Sequence, residues 1–281
     1  MMRTEWTWKA ADGVCIYTQC WQPEADTKAV ICLVHGLGEH GGRYAHVAAA
    51  LSQAGYALLA PDLRGHGKSE GQRGHIPSYE ALLDDVGGLI HQATQRFPGL
   101  PRYLYGHSLG GTLALGYALV AHPQLAGVIA TGAGLRSALE KQPLKIALAR
   151  LMSWVAPKVS LASGLDPETI SSDPAVVRAY QEDPLVHNRI TFRMGSELLR
   201  ANRWTMARAG EFSLPLLLMQ AGADRLVFPE GSREFAEQVR ADCVLKIWEG
   251  MAHEIHNEPG KEEVLRFMVD WLDMHTAMAA A

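Results

Sequence analysis

Gly106-His107-Ser108-Leu109-Gly110 sets a hydroxyl between two glycines, and Asp224 and His253 follow it along the chain. A serine hydroxyl is a poor nucleophile until a base removes its proton, and the base needs a third group to orient it. Serine, acid, histidine is one of the chain orders in which such a triad recurs. The apolar run Pro101 to Tyr105 leads into the serine, and the small-residue stretch Thr112 to Ala121 leads out. That reads as strand, tight turn, helix. A turn this sharp strains its central residue, so the flanking side chains must be absent for strand and helix to pass closely. Ser108 then stands at the head of a helix, where backbone N–H groups and the dipole favour negative charge.

The acid and base have parallel settings. Asp224 lies just past one apolar run, Leu214 to Ala221, and His253 just past another, Cys243 to Trp248. Alone, Asp224 reads as a turn or helix-capping aspartate and His253 as a surface-loop histidine. Agreement of order, type and strand-end position selects the catalytic reading. His107 adjoins the nucleophile, but neighbours at a sharp turn point apart, so it supports the turn rather than serving as base. A tetrahedral intermediate also needs donors for its oxyanion, each worth roughly 3 kcal/mol. The N–H groups of Leu109 and of Leu37, in His35-Gly36-Leu37-Gly38, are assigned to it. No Gly-Lys-Ser/Thr follows this run at P-loop spacing, which sets a phosphate loop aside. No His or Cys cluster has metal spacing, and the chemistry needs no metal or organic cofactor.

The elements that must position these groups alternate. Glu5 to Lys9 and Val14 to Trp21 read as a hairpin turned at Asp12-Gly13. Ala29 to Val34 and Tyr56 to Ala60 are continuous apolar runs, the mark of buried strands. Helices are expected over Tyr44 to Ala54, Tyr79 to Phe97, Glu230 to Val239 and Glu262 to Met274, and a further strand over Leu125 to Ala130. This alternation implies an α/β fold with a mostly parallel central sheet flanked by helices. It stops between about Thr131 and Arg203, where the chain reads as irregular and helical. Residues 131–203 are therefore expected to form a helical cap, with 1–130 and 204–281 as the core. Ligands in such sheets bind beyond the carboxyl ends of the strands, which is where a lid would sit. Leu144, Leu148, Leu151 and Val155 share a helical face, with Trp154 beside it. Their first expected role is burial against the sheet domain, their second the lining of an acyl tunnel. A third is contact with micelles or bilayers, which Trp154 and Lys158 suit.

The totals agree with an enzyme core rather than a nucleic-acid binder. The 281 residues are 48% hydrophobic and 20% charged, with net charge −4 and no basic block. No apolar run approaches the ~20 residues of a membrane span, and the first residues lack the apolar core of a signal peptide. Cys15, Cys20, Cys32 and Cys243 are scattered and apolar-flanked, as expected of reduced cysteines in a cytoplasmic protein, with peripheral membrane contact open to it. An Ala-rich tail follows His275.

Several segments together resemble the monoacylglycerol lipase group of serine hydrolases, with the α/β-hydrolase fold. They are His35 to Tyr44 (HGLGEHGGRY), Asp62 to Ser69 (DLRGHGKS), Gly106 to Gly111 (GHSLGG), Gly222-Ala223-Asp224 and His253 to Glu258 (HEIHNE). The likeness spans nearly the whole chain, including Asp183-Pro184-Leu185, and is weakest from Ser137 to Gly164. It implies the triad Ser108, Asp224, His253 and the oxyanion donors Leu37 and Leu109. It also implies a cap over an apolar acyl tunnel. A polar pocket for the leaving alcohol is implied at Glu39, Arg43 and His256; the bland alternative there is a Glu39–Arg43 structural ion pair with His256 packed beside His253. His35, Asp62, Arg64 and His66 are expected to be structural, since polar loop residues satisfy buried backbone groups. The expected activity is hydrolysis of single-chain lipid esters, monoacylglycerol foremost, through an acyl-enzyme. A lysophospholipase, a short-chain or aryl carboxylesterase and a cofactor-free peroxidase are the enzyme alternatives. A ligand-binding protein on a hydrolase scaffold is the alternative outside enzymes. Expected partners are a small lipid ester and a transient membrane or micelle surface, not nucleic acid.

Overall fold

Period-two and period-3.6 patterns both resolve into the elements expected. The computed structural model describes residues 1–137 and 142–279; residues 138–141 of the expected cap and the end of the Ala-rich tail lie outside the described residues. In chain order, the hairpin β1 (Met2–Lys9) and β2 (Cys15–Gln22) is followed by β3 (Ala29–Val34), α1 (Ala45–Gln53) and β4 (Tyr56–Pro61). Next come α2 (Tyr79–Arg96), β5 (Arg102–His107), α3 (Leu109–Ala121) and β6 (Gly127–Thr131). The insertion contributes α4 (Pro143–Val155), β7 (Ser160–Ala162), α5 (Pro174–Glu182), β8 (Arg189–Thr191) and α6 (Phe192–Ala207). The chain closes with β9 (Leu216–Ala221), α7 (Pro229–Gln238), β10 (Cys243–Trp248) and α8 (Lys261–Ala279).

The main sheet has the order β1-β2-β4-β3-β5-β6-β9-β10. Neighbours pair in parallel from β4 through β10, and β1 and β2 join antiparallel at one edge. Strand alternation sorts the core into two layers. Val30, Cys32, Val34 and Leu104 face Leu82, Val86 and Leu113 on one side. Ile31, Leu33, Tyr103 and Tyr105 face Val47, Leu51, Met268 and Leu272 on the other. Because β3, β5, β6, β9 and β10 run the same way, the loops after them meet at one edge of the sheet.

The insertion leaves β6 and returns at β9. Its short ribbon, β7 with β8 antiparallel, is largely exposed, which is why no buried apolar run marks it. α6 runs on past residue 203, and Met194, Ala201 and Met206 join the core layer of α2 and α3. A boundary at 203/204 therefore falls inside a helix shared by cap and core. The first role expected of the α4 stripe is not the one found. Leu144 is 86% exposed and Trp154 85%, and Leu148, Leu151 and Val155 are exposed with them. The helix packs on α6 instead, and its buried residues include Ile146 and Ser153. Periodicity revealed the longer apolar stripe, but neighbour geometry chose the shorter one. No helix of the described residues is long and apolar enough to cross a membrane.

Candidate active site

The turn after β5 has the strain its glycines imply. Ser108 sits at φ 54°, ψ −114°, a region that costs a non-glycine residue on the order of 1–3 kcal/mol. A Cβ at Gly106 would overlap the Gly110 carbonyl, and one at Gly110 would overlap the Val34 carbonyl. The conformation is held from outside: Ser108 N–H donates to Thr131 O at 2.8 Å, and Thr112 N–H to Ser108 O at 3.1 Å. Leu109 is the first residue of α3, so its N–H is among those a helix start leaves unpaired within the helix.

The loops after β9 and β10 bring acid and base together. Asp224 Oδ2 lies 2.7 Å from His253 Nδ1. The carboxylate also accepts from Gln220 Nε2 at 2.8 Å and from the Leu226 and Val227 N–H groups at 2.9 and 3.0 Å. Burial opposes charge on this aspartate, but His253 and these donors outweigh it and hold its carboxyl below the usual range. Burial likewise opposes the His253 imidazolium, but the Asp224 charge and hydrogen bond prevail and raise its pKa. Asp224 occupies Nδ1, which leaves Nε2 as the nitrogen free for a substrate-side proton.

Ser108 and His253 line one crevice with Gly36, Leu37, His107, Glu39 and Glu254, roofed by Leu165, Ile170 and Tyr180 of the cap. Its free volume is about 20 Å³, room for little more than a water. Leu165 and Tyr180 also wall a larger neighbouring cavity of about 390 Å³ within the cap. His107 Nδ1 lies 2.9 Å from Thr131 Oγ1, which ties its ring to the end of β6. Burial, then the neighbouring His253, pushes its pKa down to about 3, so it is a neutral packing ring. Among the described residues, no group of His, Cys, Asp or Glu has a metal-binding arrangement.

The residues expected on the alcohol side form a buried ion cluster. Arg43 grips both oxygens of Glu254 at 2.7 Å and Glu39 Oε2 at 2.7 Å. Glu39 Oε1 accepts from Gly36 N–H at 2.6 Å and Tyr44 Oη at 2.9 Å. Burial lifts the Glu39 carboxyl above its usual range, whereas Arg43 overcomes burial and holds Glu254 below its own. His256 is 0% exposed and is not among the side chains lining the crevice. Its ring stacks on Tyr44 at 4.7 Å and meets His107 edge-on, because the turn Ile255–Asn257 folds it beneath the serine loop.

The remaining motif residues tie loops to one another. His35 Nε2 accepts from Leu63 N–H at 2.9 Å, so its Nδ1 carries the hydrogen and donates to Gly36 O at 2.8 Å. Asp62 accepts from the Gly41 and Lys68 N–H groups, Arg64 bridges Asp85 and Asp12, and His66 Nδ1 meets Arg64 O at 3.0 Å. Sequence reasoning missed Glu254, whose signal was its place directly after His253. It also missed Leu165, Ile170 and Tyr180, for which no local pattern exists.

One expected result follows from the raised His253 pKa. Only the neutral imidazole can take a proton from Ser108. The acid limb of kcat/KM should therefore lie above the ~6.5 of a free imidazole, with activity falling as pH drops through it. An acid limb below about 6 in a pH–rate profile contradicts this.

A strained serine at a strand–helix turn, a buried Asp–His pair and orphan N–H groups on an α/β-hydrolase sheet define a serine hydrolase. The chain belongs to the serine aminopeptidase S33 family (Hydrolase_4), whose model matches residues 25–260. It is similar to a monoacylglycerol lipase of Mycolicibacterium smegmatis, 33% identical over 97% of this chain and 98% of that protein. A solved structure of Paleococcus ferrophilus monoacylglycerol lipase superposes with TM-score 0.83 at 34% identity, covering 98% of this chain and 100% of that one. An uncharacterized abhydrolase domain-containing protein of Dictyostelium discoideum is 38% identical over 93% of this chain, which spans only 28% of that longer protein.

Proposed function

We propose that this enzyme hydrolyses esters of single-chain lipids, monoacylglycerol foremost, releasing a fatty acid and glycerol through an acyl-enzyme on Ser108. The observation that carries the reading is the shared crevice of Ser108, His253 and Leu37 beneath the apolar cap side chains Leu165 and Ile170. Likeness to the two monoacylglycerol lipases over nearly the full chain supports the substrate class. Ser108 Oγ attacks the ester carbonyl as His253 Nε2 takes its proton. Asp224 holds the imidazole and stabilises its charged form. The Leu37 and Leu109 N–H groups receive the oxyanion, and His253 returns the proton to the departing alcohol. Water then attacks the acyl-enzyme by the same route in reverse.

A ladder of monoacylglycerols, with di- and triacylglycerol controls, tests the reading. Each buried methylene adds about 0.8 kcal/mol, so kcat/KM should climb steeply with chain length until the tunnel is full. Preference for a bulky triester contradicts it. The larger cap cavity, with Ser163, Gln181, His187 and Asn188 in its wall, favours one second reading, a lysophospholipid or aryl ester with a bigger leaving group. The same assay run on those esters decides between them.

The enzyme is further proposed to act in the cytoplasm and to meet its substrate at a lipid surface through α4. Support comes from four free cysteines and from the exposed Leu144, Leu148, Leu151, Trp154 and Val155. Leu148→Ser with Trp154→Ser is expected to weaken binding to phospholipid vesicles about tenfold or more in a sedimentation assay. Turnover of a monomeric short-chain ester should be unchanged. Unaltered vesicle binding removes the surface role of α4.

A further inference from the structure

Both backbone polar groups of Gly36 are held by side chains. His35 Nδ1 donates to its carbonyl at 2.8 Å, and Glu39 Oε1 accepts from its N–H at 2.6 Å. The Gly36 carbonyl and the Leu37 N–H belong to one planar trans peptide, so they point in opposite directions. Clamping the two peptides that flank Gly36 therefore aims the Leu37 N–H. From these contacts we infer that Glu39 is a positioning residue for the oxyanion loop, acting through Gly36 and tied by Arg43 to the turn that carries His253.

The proposal rests on the assignment of Ser108 as nucleophile and Leu37 as an oxyanion donor. Four observations carry it. Glu39 is 3% exposed, and its Oε1 is filled by Gly36 N–H and Tyr44 Oη. Its Oε2 is held by Arg43, whose guanidinium also takes both oxygens of Glu254, the residue after His253. Glu254 is held in turn by Asn257 Nδ2 at 2.7 Å, and its own N–H donates to Ile170 O of the cap at 2.8 Å. Tyr180 of α5 lies under the Arg43 guanidinium at 4.7 Å. One strut thus spans the loop after β3, the loop after β10 and the cap. Oxyanion loop and base are kept in register by side chains that need not touch the ester. An oxyanion donor acts on the transition state far more than on the bound substrate, so mis-aiming it lowers kcat and spares KM.

The experiment measures Glu39→Ala and Glu39→Gln on two esters of one fatty acid, the glycerol monoester and the 4-nitrophenyl ester. It adds inhibition by a trifluoromethyl ketone carrying the same chain, a reversible mimic of the tetrahedral oxyanion. Glu39→Ala is expected to lose about 10- to 100-fold in kcat on both esters, short of the ~10²–10³ for removing a donor outright. KM should stay within about twofold, and ketone affinity should weaken in parallel with kcat/KM. Glu39→Gln keeps an acceptor for Gly36 N–H and should recover most of the loss. Should the alanine variant fail to fold by near-ultraviolet circular dichroism, Glu39→Asp, whose shorter arm withdraws the acceptor from Gly36 N–H, takes its place with the same expected losses. A loss confined to the glycerol ester, or a rise in KM with kcat intact, overturns the positioning role. So does a Glu39→Ala variant that matches the parent. Wild-type enzyme is treated alongside with a fluorophosphonate. Labelling at Ser108 with unaffected Glu39 variants overturns this inference alone, whereas no labelling overturns the Ser108 assignment and this inference with it.

Discussion

Ser108→Ala is expected to lower kcat on a monoacylglycerol by a factor on the order of 10⁶, with KM little changed. The size follows from how the groups work as a unit. Removing the hydroxyl removes the covalent intermediate, and His253 and Asp224 then have no nucleophile to activate. What remains is binding and the oxyanion donors acting on water, worth roughly 10³–10⁴ over the uncatalysed rate. Only one side-chain atom is deleted, in a turn whose strain is held by the Thr131 carbonyl and the flanking glycines. Thermal stability should therefore hold or rise slightly. The measurements are ester turnover and covalent labelling by a fluorophosphonate, which should vanish together. Full turnover by the variant would mean that another nucleophile does the chemistry. Labelling elsewhere in the crevice would identify it.

The second large effect lies at Asp224. Asp224→Asn is expected to cost about 10⁴ in kcat. The Leu226 and Val227 N–H groups already claim Oδ1, and Gln220 Nε2 and His253 Nδ1 share Oδ2. An amide keeps one oxygen for these donors. If it serves the backbone, its NH₂ faces His253 Nδ1 and forces the tautomer with hydrogen on Nε2, which cannot accept the serine proton. The pH profile adds an independent sign. The aspartate charge is what lifts His253 against burial. Its loss should move the acid limb of the residual activity to lower pH. A variant within tenfold of the parent, or an acid limb that stays put, would show that the imidazole is oriented by something other than this carboxylate.

Much of this was legible in the chain. The alternation of apolar runs and helical stripes laid out the sheet, and the five-residue turn pattern located Ser108. Asp224 and His253 were singled out because each follows an apolar strand run, buried in β9 and half-exposed at the sheet edge in β10. In a parallel sheet every strand end delivers its loop to the same edge, so local pattern carries long-range information. The hidden parts are those where contact rather than period decides. α4 has two apolar stripes, and only the presence of α6 says which is buried. The cap roof of Leu165, Ile170 and Tyr180 shares no spacing with the groups below it. His256 lies three residues from a histidine that lines the crevice, and yet one short turn folds it out of the crevice wall.

Composition and pattern were sufficient for the class of fold and for the type of chemistry, and they singled out the three groups proposed to perform it. Each of these depends on covalent order and on backbone rules that act within a few residues. Tertiary structure alone decided that Glu39 and Arg43 turn toward Gly36 and Glu254, that α4 leaves its leucines to solvent, and how little room lies above Ser108. Those outcomes are settled by which distant surfaces meet. A carboxylate or a leucine has the same local propensity whichever partner it finds, so its final neighbour is chosen by burial and charge pairing across the folded chain.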